Sequence, residues 1–223
     1  MTNINALSPP RWEVVLAILF GPVAVYYGIA WILGKIVHLT YSQSLDAYPW
    51  VLIGMYLFLG IVVYRESIAD GLGLPRFFDN NRRKVLGAIG LGVLLVFGIL
   101  LIENYYEVIW SVFAPIPTAT YSKSPFTIDV MIVALPIGAG IVEELVWRGY
   151  GISRLQALTG SQWKSILISS IGFGIWHVDL FHFGYAFLDG LLFGYVYSRY
   201  KSLLPVVIGH WLFDFIAALA TFG

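Results

Sequence analysis

"VLGAIGLGVLLVFGILLI", residues 85–102, runs for eighteen residues without a charged side chain. A bilayer's hydrocarbon core is ~30 Å thick and takes about 20 helical residues to cross. The stretch therefore reads as a membrane-spanning helix. Comparable runs occur on both sides of it, at about 13–37 ("EVVLAILFGPVAVYYGIAWILGKIV"), 48–64, 127–147, 164–181, 183–198 and 203–222. That makes seven spans. "ENYYEVIWSVF", residues 103–113, either extends the third span, lies at the interface or belongs to an eighth. The expected fold is all-α, a polytopic transmembrane helical bundle of 7–8 spans.

Composition agrees. Of the 223 residues, 59% are hydrophobic and only 12% charged, about half the charged share of a soluble domain. Mean hydropathy is +0.80. Net charge is zero, which gives no case for nucleic acid. Cysteine is absent, which excludes disulfides and thiolate metal sites. The opening "MTNINALSPPRW" lacks the basic region, short apolar core and cleavage site of a signal peptide, so a retained tail is expected. No repeat divides the chain. One membrane domain is expected, with 1–126 as scaffold spans and 127–223 as a more polar core.

Placing the N-terminus in the cytosol puts Arg11, Arg65, Arg76, Arg82, Arg83, Lys84, Arg148, Arg154, Lys164, Arg199 and Lys201 inside, and only Lys35 and Lys123 outside. The positive-inside rule favours this orientation. It predicts a multi-pass membrane protein with a cytosolic N-terminus and the lipid bilayer as its constant partner; the membrane expected is a prokaryotic cytoplasmic one.

The exceptions to apolarity cluster late. Glu143, Glu144, His177, Asp189, His210 and Asp214 all follow residue 140. A charge at mid-membrane costs on the order of 2.5–3.5 kcal/mol on insertion scales and is tolerated when it pairs or lines water. In "IVEELVWRGYG", residues 141–151, Glu144 and Arg148 are an i,i+4 pair in the favourable order. Glu143 projects about 100° away and is left to face inward. The plain alternative is an interfacial salt bridge at a helix end. In "FGIWHVDLFH", residues 173–182, His177 follows Phe173 by four; the alternative is a satisfied core histidine. His182 and Asp179 read as interfacial. In "GHWLFDF", residues 209–215, His210 and Asp214 share a helix face; the alternative is a structural cross-link between helices. Asp189 has no basic partner in its own span and either bonds another helix or lines a cavity. Together these groups are the parts for activating water: a base, a proton-sharing imidazole and a pair to hold an oxyanion.

Glu-Glu-x-x-x-Arg, Phe-x-x-x-His and His-x-x-x-Asp, in that order over about residues 136–216, resemble the CPBP family of type II CAAX prenyl endopeptidases and bacterial abortive-infection membrane proteases. The resemblance implies an intramembrane endopeptidase with a polar catalytic cavity in the C-terminal half. It cleaves a membrane-associated protein or peptide without a covalent intermediate. It implies that Glu143 and His177 activate water, that His210 and residue 214 stabilise the oxyanion, and that Glu144 and Arg148 brace the site. Position 214 is Asp where Asn is familiar, so Asp214 is expected either to be protonated or to orient His210. Asp189 stands where a small residue is usual. No cofactor is expected. The His-Glu-x-x-His zinc signature is absent, and the alternative is a zinc ion on Glu143, His177 and His210. A non-catalytic immunity or scaffold protein on the same fold, and a proton-coupled transporter, are the rival classes.

Depth poses a difficulty. At ~1.5 Å rise per residue, the expected spans put His210 about 10 Å, Glu143 about 6 Å and His177 about 20 Å from their cytosolic ends. The expectation is that the fourth helix runs past 147, that the fifth begins after 164, and that 155–164 dips toward a water-filled cavity.

Overall fold

The computed structural model describes residues 11–69, 77, 81–117, 124–177 and 179–222. The N-terminal tail and two of the counted cations, Arg76 and Lys123, lie outside the described residues. Among the described residues all regular structure is helical: α1 (Trp12–Lys35), α2 (Tyr41–Ala69), α3 (Arg82–Ser111), α4 (Pro125–Gly138), a π-helical segment (Ala139–Ile152), α5 (Ser153–Thr159), α6 (Gln162–Trp176), α7 (Leu180–Tyr200) and α8 (Leu204–Phe222). The α4, π and α5 segments follow one another without a break.

Five helices are long and apolar enough to cross a membrane: Trp12–Lys35, Gln43–Ala69, Arg82–Ser111, Pro125–Thr159 and Leu204–Phe222. Their outer faces carry large apolar side chains such as Leu57, Phe97 and Leu101, well exposed in the isolated chain. In water such a surface is a liability; in lipid it is the required one. The chain is a multi-pass integral membrane protein. α6, with 15 residues, spans only about 22 Å by helical rise. α7 is long enough but carries His182, Asp189 and Arg199. Residues 103–111 extend α3, which resolves that ambiguity in favour of a longer third helix.

The fourth helix does run past 147, to Thr159, so Glu143 lies far from its end. The fifth begins at Gln162, earlier than expected. No long connection dips inward: Gly160 takes a left-handed backbone (φ 66°) that ends α5, and the Ser161 side chain caps the α6 N-terminus by accepting from the Lys164 N–H. Gln162-to-His177 then spans about 22 Å and Glu143-to-Thr159 about 24 Å, so these two groups come level. His210 joins them from α8, whose first turn packs into the bundle with Val206 fully buried.

The π segment closes wider i→i+5 turns, a geometry concentrated at functional sites. Pro136, which has no N–H for the ladder, stands three residues before it. Its other requirement is Gly140. A Cβ there would sit 2.7 Å from Trp211 Cβ and 3.0 Å from the Trp211 backbone nitrogen, so the π segment and α8 nearly touch backbone to backbone, as small residues allow in membranes. Gly140→Val is expected to lower stability by roughly 1–3 kcal/mol and to part Glu144 from His210. Thermal unfolding in detergent measures the first effect; an unchanged midpoint would contradict this packing.

Candidate functional site

Glu143 is buried on the π segment. Its Oε1 accepts from the Tyr56 hydroxyl at 2.6 Å and the Trp176 indole N–H at 2.8 Å. One donor comes from α2 and the other from α6, so three helices fix one carboxylate. Its Oε2 has no hydrogen-bond partner among the described residues and stands 4.0 Å from His210 Nε2.

Glu144, one residue on, turns the other way. Its Oε1 accepts from Arg148 Nη1 at 2.8 Å and lies 2.8 Å from His210 Nδ1. A carboxylate can only accept, so His210 donates from Nδ1 and its Nε2 points to the Glu143 side. The Arg148 guanidinium lies 4.1 Å from the Phe173 ring centroid and 5.1 Å from that of Phe193. Charge pairing and two cation–π faces offset the cost of burying it.

His177 closes α6. Its Nδ1 lies 2.9 Å from the Phe173 carbonyl oxygen, so Nδ1–H donates there and Nε2 is left available. Phe173 itself touches both imidazoles edge-on, with centroids 4.9 Å from His177 and 5.8 Å from His210. That explains the Phe-x-x-x-His spacing physically: the phenyl ring separates two histidines and floors an arginine.

Asp214 Oδ2 is 3.5 Å from His210 Nε2. The orienting bond expected of Asp214 is therefore made by Glu144, at the other ring nitrogen. Asp179 and His182, expected at the interface, are half-exposed. The Asp179 side chain caps α7 and bonds the His182 ring. Burial alone would push the Asp179 carboxyl up, but bonds from the His182 backbone and ring hold it below the usual range.

These groups converge on a cavity of about 640 Å³ that Glu143, His177, His182, His210 and Asp214 line on one side. Tyr48, Leu52, Met131 and Leu135 are among the residues on its apolar wall. Glu144 and Arg148 sit behind it, braced rather than exposed. The structure thus brings together the six residues singled out in sequence: Glu143, Glu144, Arg148, His177, His210 and Asp214. Among the described residues no group of three or more His, Asp or Glu side chains is gathered closely enough to hold an ion.

Three residues escaped sequence reasoning. Trp176 adjoins His177 and could have been found by that adjacency. Glu103 is polar in an apolar setting but falls in the ambiguous 103–113 stretch. Tyr56 gives no signal, being one aromatic in an apolar span. Tyr56→Phe is expected to lower stability by about 1 kcal/mol. Cleavage should fall roughly 5–30-fold, because Trp176 alone then orients the carboxylate. Equal cleavage by the variant and the parent chain would remove Tyr56 from the site.

Residues 125–216 match the family model described as Type II CAAX prenyl endopeptidase Rce1-like. No curated protein matches the chain, and no solved structure does. The matched segment holds all three motifs, and the similarity supports the CPBP/CAAX protease family and a protease activity.

Proposed function

We propose that this chain is an intramembrane endopeptidase in which Glu143 activates water against a peptide bond of a membrane-associated protein or peptide. One observation carries the reading. Glu143 Oε1 is held by two donors from other helices while Oε2, without a bond of its own among the described residues, belongs to a carboxylate that lines the cavity. A general base must be rigid on one side and available on the other.

In the proposed reaction a water lies between Glu143 Oε2 and the scissile carbonyl. Glu143 takes one proton as the oxygen attacks the carbonyl carbon. His210 acts here as the imidazolium: the oxyanion accepts from its Nε2–H, while its Nδ1–H stays on Glu144. Such a donor contributes on the order of 10²–10³ in rate. Collapse of the tetrahedral intermediate breaks the C–N bond, and Glu143 returns the proton to the leaving amine. His177, fixed by Phe173, orients the water through Nε2. The wall of tyrosine, leucine and methionine side chains suits an apolar peptide entering from lipid.

α6 and α7 also cross the bilayer in this reading, giving seven spans. The N-terminus is cytosolic and the membrane is the prokaryotic cytoplasmic one. Residues 1–126 act as scaffold except for Tyr56 and Glu103, and 127–223 carry the chemistry. The reaction uses no metal.

The test compares protein termini in cells with and without the chain, then repeats cleavage of the peptide so found with purified protein in lipid nanodiscs. Chain-dependent new termini, reproduced in vitro and unaffected by EDTA, support the proposal. Identical termini in both cell types would instead support a non-catalytic immunity or scaffold protein. Loss on chelation with rescue by zinc would make Glu143, His177 and His210 ligands.

A further inference from the structure

A second, smaller chamber of about 40 Å³ lies behind the first, and His177, Tyr185, His210 and Asp214 line both. Its other polar walls are Glu103 from α3 and Asp189 from α7. No lysine or arginine lines it. Asp189 is only 6% exposed, and its Oδ1 has no hydrogen-bond partner among the described residues. A buried carboxylate oxygen without a bond carries a large desolvation cost. Packing alone does not explain it, because the chamber beside it could be closed by an apolar residue at 189. A polar chamber admits a water once it offers roughly 10–15 Å³ and two to four partners. This one has the volume, and Glu103, Asp189, His210 and Asp214 supply the partners.

We propose that the chamber is a buried water site and that Glu103 and Asp189 are positioning residues, acting on His210 and Asp214 through the water held there. The water completes Asp189 Oδ1 and supports the rear of the imidazole whose front faces Glu143. The catalytic half of this inference rests on the peptidase reading; the water site does not.

The experiment uses the full chain in lipid nanodiscs, labelled with ¹³C-aspartate, and water-edited solid-state NMR. The Asp189 carboxyl signal is assigned by its absence in Asp189→Asn. The expected result is strong magnetisation transfer from water to that carboxyl, lost in Ala186→Val, where two added methyl groups fill the chamber from α7. The Asp179 carboxyl, on the open cavity, keeps its transfer in both proteins. A dry Asp189 in the parent chain overturns the proposal without any variant having to fold. For the positioning role, Asp189→Leu and Glu103→Leu are expected to lower kcat about tenfold, the effect of one lost buried hydrogen bond, with KM unchanged. Asp189→Asn and Glu103→Gln, which still bond water, return kcat to within about threefold. Leu and Asn variants with the same kcat would overturn the positioning role. A wet Asp189 in a chain that cleaves nothing would uphold the water site and sink the peptidase reading alone.

Discussion

Glu143→Gln is expected to leave the protein folded and to lower kcat for peptide cleavage by about 10³-fold or more. The magnitude follows from what is removed. A positioned general base contributes typically 10²–10⁴-fold, and without a covalent nucleophile the same carboxylate must also protonate the leaving amine. The retained fold follows from the hydrogen bonds. Tyr56 and Trp176 both donate to Oε1, and a glutamine oxygen still accepts from both, though without the charge assistance. The amide nitrogen then takes the place of Oε2, which carries no bond to lose among the described residues. KM should change little, since the side-chain volume is conserved. Single-turnover cleavage in nanodiscs, paired with a melting curve, reads both quantities. Retained cleavage in a folded Glu143→Gln protein would move the base elsewhere, and His177 would be the next group to test. Glu143→Ala is the poorer probe, because it leaves two buried donors without an acceptor and mixes a stability loss into the kinetics.

The helical bundle was legible because apolar runs of membrane length are rare in chains that fold in water. The six residues brought together were legible because each charge is conspicuous against such a background. What sequence could not convey is depth. The π segment has no period of its own in the residue pattern, and the continuation to Thr159 is masked by Arg148 and Arg154, which read as a helix end. Both arginines are instead buried. The fifth and sixth expected spans meet at 181–183, whereas α6 ends at Trp176, with His177 taking a non-helical backbone and Asp179 capping α7. That break puts His177 at a helix terminus, with its ring Nδ1 on the Phe173 carbonyl. Tyr56 shows the opposite limit. Its hydroxyl matters only because Glu143 lies beside it, 87 residues away in the chain, and no local pattern encodes such a contact.

Arg148→Met tests the brace, and its expected effect is a stability loss of about 3–5 kcal/mol. Removing the guanidinium leaves Glu144 fully buried with its cation gone, which is the expensive way to break a buried pair. The two phenyl faces of Phe173 and Phe193 lose their cation at the same time. Removing both partners is a different experiment. In Arg148→Met combined with Glu144→Leu, neither member of the pair is left as an orphaned charge, and the packed apolar pair should regain part of the lost stability. Activity should not return with it. His210 Nδ1 has then lost its acceptor, so nothing fixes which ring nitrogen faces the oxyanion or holds the ring in place. A cycle of the two single variants and the double, read by unfolding in detergent and by kcat, therefore separates two roles of one ion pair. Stability should couple strongly and with opposite sign to the single losses, whereas kcat stays low in all three proteins. Recovery of both quantities in the double variant would reduce Glu144 and Arg148 to packing and remove them from the orientation of His210.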